Sequence, residues 1–465
     1  MRISALINQR IALLGLGREG LASLSVLRAA GHAETVMVLA DTAPDSLPEN
    51  CQFLPLSALP ASNLDVVIRS PGFAPHHELR QALDQLACQQ VTATQLFLNE
   101  MRAASIQVIG ITASKGKSTT SALCYAALQA AGIASVLVGN IGQPALELMQ
   151  EILQQRPVVV MELSSYQCAD LQDGCGPQLA AIGALFPEHL DYHGSLQAYF
   201  DAKLRLAQSQ TKVDSLICHA QALPQLARLD LPQAIEVVNE VVNQAQGLHF
   251  QDGVFYDGAE SLFSDEGMLV PGLHNRANAC LAFALARRMG VTAAQMQTAL
   301  RSFAGLPFRL QNEGVQAGIC WINDSISTAP EATAAALEAM QGRTYTLIAG
   351  GHERGYAPDL MVQAIFQHGV REVILLPDTG SVIASCLAEF ASKHAQPPRV
   401  HQVANLALAV KLAHEVTPQG GTCIMSPGAP SYNAFSGFEA RGREFRRCIH
   451  ELNELSRNPS ASEKL

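Results

Sequence analysis

Several things are scarce in this chain of 465 residues, and each shortage excludes a class of protein. The eleven cysteines stand singly, with no C-x-x-C pair, so neither a disulfide framework nor a zinc knuckle is indicated. Reduced, mostly buried thiols are expected instead. No apolar run reaches the ~20 residues that a bilayer-spanning helix needs. The first residues also lack the basic, apolar and small-residue series of a secretory signal. A cytoplasmic protein without membrane insertion is the expectation. Positive charge is short too: 31 Lys and Arg against 41 Asp and Glu leave a net charge of −10. That balance argues against a nucleic-acid surface and leaves small anionic ligands open. Apolar residues are not scarce. At 48% of the chain, against 15% charged, they supply ample core, and the length predicts two to four domains.

What is present centres on Ile106 to Leu128, IQVIGITASKGKSTTSALCYAAL. The stretch reads as a strand, a glycine-bearing loop and a helix. Backbone N–H groups of such a loop point at phosphate oxygens, Lys117 adds a mobile positive charge, and the Ser118 hydroxyl is placed to ligate magnesium. The full G-x-x-x-x-G-K-[ST] spacing is not met, because Ile111 holds the first-glycine position and Gly110 comes one residue early. A chance G-K-S in a surface turn is common, but the flanking strand and helix supply the context that a nucleoside triphosphate site requires.

The rest of the chain repeats the α/β pattern. Residues 10 to 41 give a strand, Gly15-x-Gly17-x-x-Gly20, a helix and a second strand ending at Asp41, a mononucleotide-binding fingerprint. A strand over Leu64 to Ile68 then runs into Ser70-Pro71-Gly72, either an ordinary loop or a ligand loop at a sheet edge. A first domain boundary falls near residue 100. After the phosphate loop come two further strand ends, at Gly139-Asn140 and at Glu162, the latter a natural second contact for magnesium unless it is a buried structural carboxylate. His189 and Asp191 lie in a polar loop, and Lys203 follows on a helix, where a lone lysine is usually solvated surface. Residues 218 to 270 read as alternating strands and turns. Asn275 and Asn278 share one face of the next helix, suited to a base or to capping. A third α/β region with a parallel sheet begins at Ile319, with polar clusters after its strands, and the tail beyond Arg457 reads as disordered.

Taken together, ASKGKSTT, GNIG, MELSSYQ, PEHLDYHG with the following AK, PGLHNRANA, LPFR, WINDS and SPGAPSYNAF with FEARGREF span nearly the whole chain, and in this order they resemble the Mur ligases, specifically the glutamate-adding branch. The resemblance implies an α/β protein of three domains: a Rossmann-like uridine-nucleotide domain over 1–100, a central P-loop ATPase domain over 101–307, and a Rossmann-like domain over 308–457 that closes over ATP and the amino acid, with a disordered tail over 458–465. It implies ATP and Mg2+ as cofactors, UDP-N-acetylmuramoyl-L-alanine and glutamate as substrates, and a monomer. Residue by residue, it implies that Ser114, Lys115, Gly116, Lys117, Ser118 and Thr119 bind ATP phosphates, joined by Asn275 and Asn278 at adenine, Arg309 at phosphate and Asp324 at ribose. Ser118, Glu162, His189 and a carbamylated Lys203 would hold the metal, with Lys117, His189 and Lys203 as the catalytic set. Gly17, Arg18, Glu19, Asp41, Thr42, Ser70 and Gly72 would contact the uridine nucleotide, and Asn140, Ser164 and Gln167 the muramoyl part. Arg354, Ser431, Tyr432 and Phe438 would face glutamate.

Three departures from the family pattern matter. Ala113 begins the phosphate loop where the family usually has glycine. Ile326, in NDSISTAPE, and Arg354 stand where the D-glutamate-adding pattern carries lysines. A site that loses one ammonium and exchanges another for a planar fork must hold two carboxylates differently. The expected substrate is therefore L-glutamate, with D-glutamate as the nearest alternative. Folylpolyglutamate synthesis fits GNIG and ELSSYQ less well, and a nicotinamide-dependent oxidoreductase explains only the first glycine fingerprint. A silent nucleotide-binding regulator leaves Glu162, His189 and Lys203 unexplained.

Overall fold

The computed structural model describes residues 1–40, 43–44, 46–61, 63–141, 143–238, 247–270, 272–353, 357–391 and 396–457. The chain divides into two compact units, Met1–Phe303 and Ala304–Leu465. The first unit opens with a five-stranded parallel sheet of β1 (Ile11–Leu14), β2 (Val36–Leu39), β3 (Cys51–Phe53), β4 (Val66–Arg69) and β5 (Gln89–Thr92), in the order β3-β2-β1-β4-β5. Strand order reverses beside β1, the position at which doubly wound sheets bind ligands. The glycine fingerprint leaves β1 there: Gly15 has φ +89°, and a Cβ on Gly20 would lie 2.2 Å from the Gly15 carbonyl oxygen. Only glycine lets the helix Arg18–Ala29 start this close to the strand.

The second sheet is also all parallel: β6 (Val108–Thr112), β7 (Ser135–Gly139), β8 (Val158–Glu162), β9 (Leu179–Ile182), β10 (Ser215–His219) and β11 (Ile235–Val238), in the order β11-β10-β9-β6-β8-β7. Every residue of β6 is buried, as expected of a strand covered on both faces. The helix Lys117–Ala130 returns across it, burying Leu123, Cys124, Ala127 and Leu128. β6 sits between β8 and β9, so the loops after β6, β8 and β9 emerge side by side at their carboxyl ends. A three-stranded antiparallel sheet, β12 (Leu248–Gln251), β13 (Val254–Asp257) and β14 (Glu260–Ser264), packs Phe255 and Phe263 onto the core containing helix Leu273–Arg287.

The second unit carries β15 (Gln311–Gln316), β16 (Ile319–Asn323), β17 (Thr346–Ala349), β18 (Glu372–Leu375), β19 (Arg399–Gln402) and β20 (Thr422–Met425), in the order β15-β16-β20-β17-β18-β19. Five are parallel, as the sequence leads one to expect, but β15 runs antiparallel to β16. Its hairpin turn is Ala317-Gly318, both at positive φ (51° and 79°), a two-residue turn matched to strand twist. Arg441, on the helix Phe438–Arg457, is buried at 1% exposure.

No helix of the described residues is long and apolar enough to cross a membrane. All eleven cysteines are free thiols; six are buried and five are partly exposed.

Candidate functional site

The loop after β6 is built to receive an anion. Gly116 takes φ +84° and caps the helix Lys117–Ala130, whose first-turn N–H groups have no partner within the helix. A Cβ at Gly116 would lie 2.2 Å from Asn278 Oδ1, so the glycine also makes room for that amide. Asn278 Nδ2 in turn donates to Asn275 Oδ1 at 3.3 Å, so the two amides meet on one face of the helix. Lys117 has no hydrogen-bond or ion-pair partner among the described residues, Ser118 is buried beneath it, and Thr119 is partly buried. Ser114 and Lys115 are engaged internally. The Ser114 hydroxyl donates to the Phe186 carbonyl at 2.9 Å and accepts from Phe186 N–H and from Tyr199 O–H. Lys115 Nζ pairs with Glu188 Oε1 at 2.5 Å. The phosphate loop is thereby tied to the loop after β9.

Around it stand the other residues of this chemistry. Glu162, the last residue of β8, is fully buried; its Oε1 accepts from Asn140 Nδ2 at 2.8 Å and its Oε2 has no partner. Lys203 is 2% exposed, which overturns the bland reading of a surface lysine. Its Nζ donates to the Ala113 carbonyl at 2.8 Å and lies 5.1 Å from the Tyr199 ring centre. Burial, with Lys117 adding to it, brings the Lys203 ammonium down to about 8, so more of the amine is neutral near neutral pH than in a solvated lysine, although the protonated form still predominates. His189 is exposed and held at φ +53°, an uncommon conformation for a residue with a side chain, with its ring 5.3 Å from that of Tyr166.

A cleft of about 180 Å³ opens beside these groups, lined among others by Arg18, Glu19, Thr94, Asn140 and Gln167. Ser164 and Gln167 form a reciprocal cap at the start of the helix Ser165–Ala169. Gln167 Nε2 reaches across to Glu19 Oε1 at 2.9 Å, one of several polar contacts between the regions of the two parallel sheets of this unit. Burial pushes the Glu19 carboxyl up, with Gln167 opposing it. Gly17 is exposed at the mouth of the fingerprint. The loop Ser70-Pro71-Gly72 is fixed from two sides, by Tyr192 O–H to the Pro71 carbonyl at 2.6 Å and by the buried Arg69–Asp170 pair at 2.7 Å. Asp41 and Thr42 lie outside the described residues.

In the second unit, the loops after β16 and β20 converge on Arg441. It donates to the Ala429 and Pro430 carbonyls at 2.9 and 3.2 Å and to Ser325 Oγ and O at 3.1 and 3.0 Å. Asp324 is buried and accepts from Ser327, Ser426 and the Leu310 N–H; burial pushes its carboxyl up against those bonds. Leu310 and Phe308, both at positive φ, flank Arg309 and leave it exposed. Ser431 is buried, Tyr432 is 61% exposed, and Phe438 opens the last helix with its ring 6.5 Å from Phe308. A small pocket there is lined by His352, Glu353, Thr379, Gly428 and Ala429. Arg354 and the tail over 458–465 lie outside the described residues.

A family profile described as the Mur ligase middle domain matches residues 111–286, the stretch that carries the phosphate loop, Glu162, Lys203 and the two asparagines. Over 463 residues, and 96% of both chains, the sequence is 38% identical to the UDP-N-acetylmuramoyl-L-alanine--L-glutamate ligase of Xanthomonas axonopodis pv. citri. The chain belongs to the Mur ligase family. A second relative of the same description, from Micromonospora sp., is 35% identical over 480 residues, covering 97% of this chain and 98% of its own. The MurF ligase of Thermotoga maritima, solved in complex with ADP, matches in fold with a TM-score of 0.53 at 12% identity, over 96% of this chain and 97% of its own.

Magnesium, which a Mur ligase of this pattern implies, fits the residues present. Among the described residues no group of three or more His, Cys, Asp or Glu is clustered as a metal site. The observation that favours a cation is instead the buried, unpartnered Glu162 Oε2 beside a helix N-terminus. Arg441 and Tyr199 were not among the candidate site residues in the sequence. Arg441 sits in the quoted FEARGREF, yet a helical arginine carries no mark that it will be buried.

Proposed function

We propose that this Mur ligase is an ATP-dependent, amide-bond-forming enzyme that adds L-glutamate to UDP-N-acetylmuramoyl-L-alanine in cytoplasmic peptidoglycan precursor synthesis, acting as a monomer. The observation that carries the reading is the match, over 96% of both chains, to a relative named for this reaction. We assign residues 1–100 to the uridine nucleotide, 101–307 to ATP and 308–457 to the amino acid and closure. Gly116 to Thr119, with the backbone of Ser114 and Lys115, receive the ATP phosphates, and Asn275 and Asn278 the adenine. Arg309 takes a phosphate contact and Asp324 the ribose. Gly17, Arg18, Glu19, Asp41, Thr42, Ser70 and Gly72 hold the uridine nucleotide, while Asn140, Ser164 and Gln167 orient the muramoyl part. Arg354, Ser431, Tyr432 and Phe438 hold glutamate.

The acceptor carboxylate attacks the γ-phosphorus of ATP, giving an acyl phosphate and ADP. The glutamate amine then attacks the acyl carbon, and the tetrahedral adduct collapses to amide and phosphate. Lys117 offsets charge on the transferring phosphoryl group. Ser118, Glu162, His189 and Lys203, the last as its carbamate, would hold magnesium, which supplies further charge neutralisation at the phosphates. The lowered Lys203 value favours that modification, because carbon dioxide is attacked by the neutral amine. Phosphate release that requires ATP, the acceptor and L-glutamate together tests the reading; release independent of the acceptor would contradict it.

A further inference from the structure

Resting on the assignment of Ser70 and Gly72 to the uridine nucleotide, we propose that Tyr192 is a positioning residue for the acceptor, its hydroxyl holding the Ser70-to-Phe73 turn in the shape that receives the nucleotide. The donor follows β9 and the turn follows β4, so one side chain joins two regions of this unit. Tyr192 is 8% exposed, and its O–H points at the Pro71 carbonyl at 2.6 Å, with the Phe73 carbonyl next at 3.2 Å. Burial raises the phenol above its ordinary range, so it keeps the proton that it donates. The Phe73 carbonyl has a second donor, Arg80 Nη1 at 3.1 Å, and Arg80 Nη2 in turn meets Asp170 at 3.3 Å. The Pro71 carbonyl has no other donor among the described residues.

The turn bears on the nucleotide because it lies against the glycine fingerprint. Ser70 N–H donates to the Leu14 carbonyl at 3.0 Å, and the edge of the Phe73 ring would stand 3.1 Å from a Cβ at Gly15. A turn that slips at Pro71 therefore shifts against β1 and the start of the helix Arg18–Ala29, where strand order reverses. The Tyr192 ring faces elsewhere. It stacks on Tyr166 with 3.9 Å between centres, and Tyr166 stands 5.3 Å from the His189 ring. Hydroxyl and ring thus serve different parts of the site, the first the acceptor's nucleotide and the second the surroundings of His189. Removing the hydroxyl alone separates the two.

The test is Tyr192→Phe in the full chain, which deletes the hydroxyl and keeps the stack. Calorimetric Kd for UDP and KM for UDP-N-acetylmuramoyl-L-alanine should both rise by about five- to tenfold, the scale of one lost hydrogen bond whose acceptor stays buried. With the Tyr166 stack intact, kcat and the KM for ATP should stay within about twofold. A contact that served folding alone would lower the melting temperature and the yield of active enzyme, and would leave these constants where they were. An unchanged UDP Kd and acceptor KM, or a KM for ATP that rises by the same factor, overturns the proposal. Should Tyr192→Phe fail to fold, Arg80→Ala takes the second donor from the Phe73 carbonyl and puts the same question to the same turn with the same readouts. A variant that matches a parent able to bind UDP and to release phosphate with the acceptor removes this inference and leaves the proposed function standing. A parent that binds neither UDP nor the acceptor removes both.

Discussion

The phosphate loop and the loops around Arg441 solve the same problem, holding polar groups at the carboxyl ends of parallel strands, by opposite means. The first is one contiguous segment: β6, Gly116 at positive φ, and a helix whose N-terminus supplies N–H groups. Its supports, Tyr199 through Ser114 and Asn278 against Gly116, come from outside but only trim its position. The second is assembled from residues more than a hundred positions apart, since Arg441 bonds Ser325 and the carbonyls of Ala429 and Pro430. Backbone geometry fixes the one and a buried cation fixes the other. The contiguous loop should therefore tolerate loss of a supporting side chain, whereas the assembled one should not.

The largest expected effect is at the group that faces phosphate directly. Lys117→Ala should lower kcat by at least about 10²- to 10³-fold with the fold intact, as for loss of a group aimed at developing charge. Activity within a few fold of the parent would mean that the loop is not the ATP site. Lys203→Ala should be nearly as inactive and should recover part of its rate when small carboxylic acids are added, because they return anionic oxygen. In the parent, the sign of the shift sets the pH trend: below about 8 the amine is mostly protonated and only its neutral fraction takes up carbon dioxide, so bicarbonate-dependent recovery of decarbamylated enzyme should speed up as pH rises towards that value. A recovery rate indifferent to pH and bicarbonate would contradict the carbamate.

Arg441→Ala leaves the Ala429 and Ser325 carbonyls without their donor, at about 1–3 kcal/mol per unsatisfied buried group before relaxation, while the Pro430 carbonyl keeps the His352 N–H and the Ser325 hydroxyl keeps the Phe438 carbonyl. It should lower the melting temperature and raise KM for glutamate, whereas Tyr199→Phe, which removes one support of the phosphate loop, should cost only about 1 kcal/mol. Equal losses in the two variants would erase the contrast between the regions. Somewhat larger than the Tyr199→Phe loss, Gly116→Ala forces a side chain into the left-handed region at about 1–2 kcal/mol and crowds Asn278. ATP affinity should fall in step with stability, and an unchanged dissociation constant for ATP would show that Asn278 is not held by that contact.

The same contrast explains what the sequence could convey. β1 with its glycines, β6 with its loop, and the strand ends at Asn140 and Glu162 are local patterns, so apolar runs and glycine spacing reveal them. Lys203 is the opposite case. Its burial comes from packing beside Tyr199 under Ala113, and nothing within its own helix distinguishes it from a surface lysine; only the family resemblance raised its weight. β15 escaped because its strand is mostly polar and its turn uses Ala317 at positive φ, a position where glycine or asparagine is the usual signal. Glu19 lay inside a recognised motif, but its pairing with Gln167, 148 positions away, is a fact of tertiary structure.

The central claim is most directly tested by the stereochemistry of the amino acid. Ile326 is half-buried in the loop after β16, its N–H donated to the Phe308 carbonyl, and it brings no ammonium to the site. Inverting the α-carbon while the amine stays aimed at the acyl phosphate redirects a carboxylate, and one misplaced charged hydrogen bond is worth about 1.5–3 kcal/mol, or roughly ten- to hundredfold. Amide formation from ATP, magnesium and UDP-N-acetylmuramoyl-L-alanine should be followed with each glutamate enantiomer side by side. A kcat/KM at least about tenfold higher for L-glutamate is the predicted result. A clear preference for D-glutamate would contradict it.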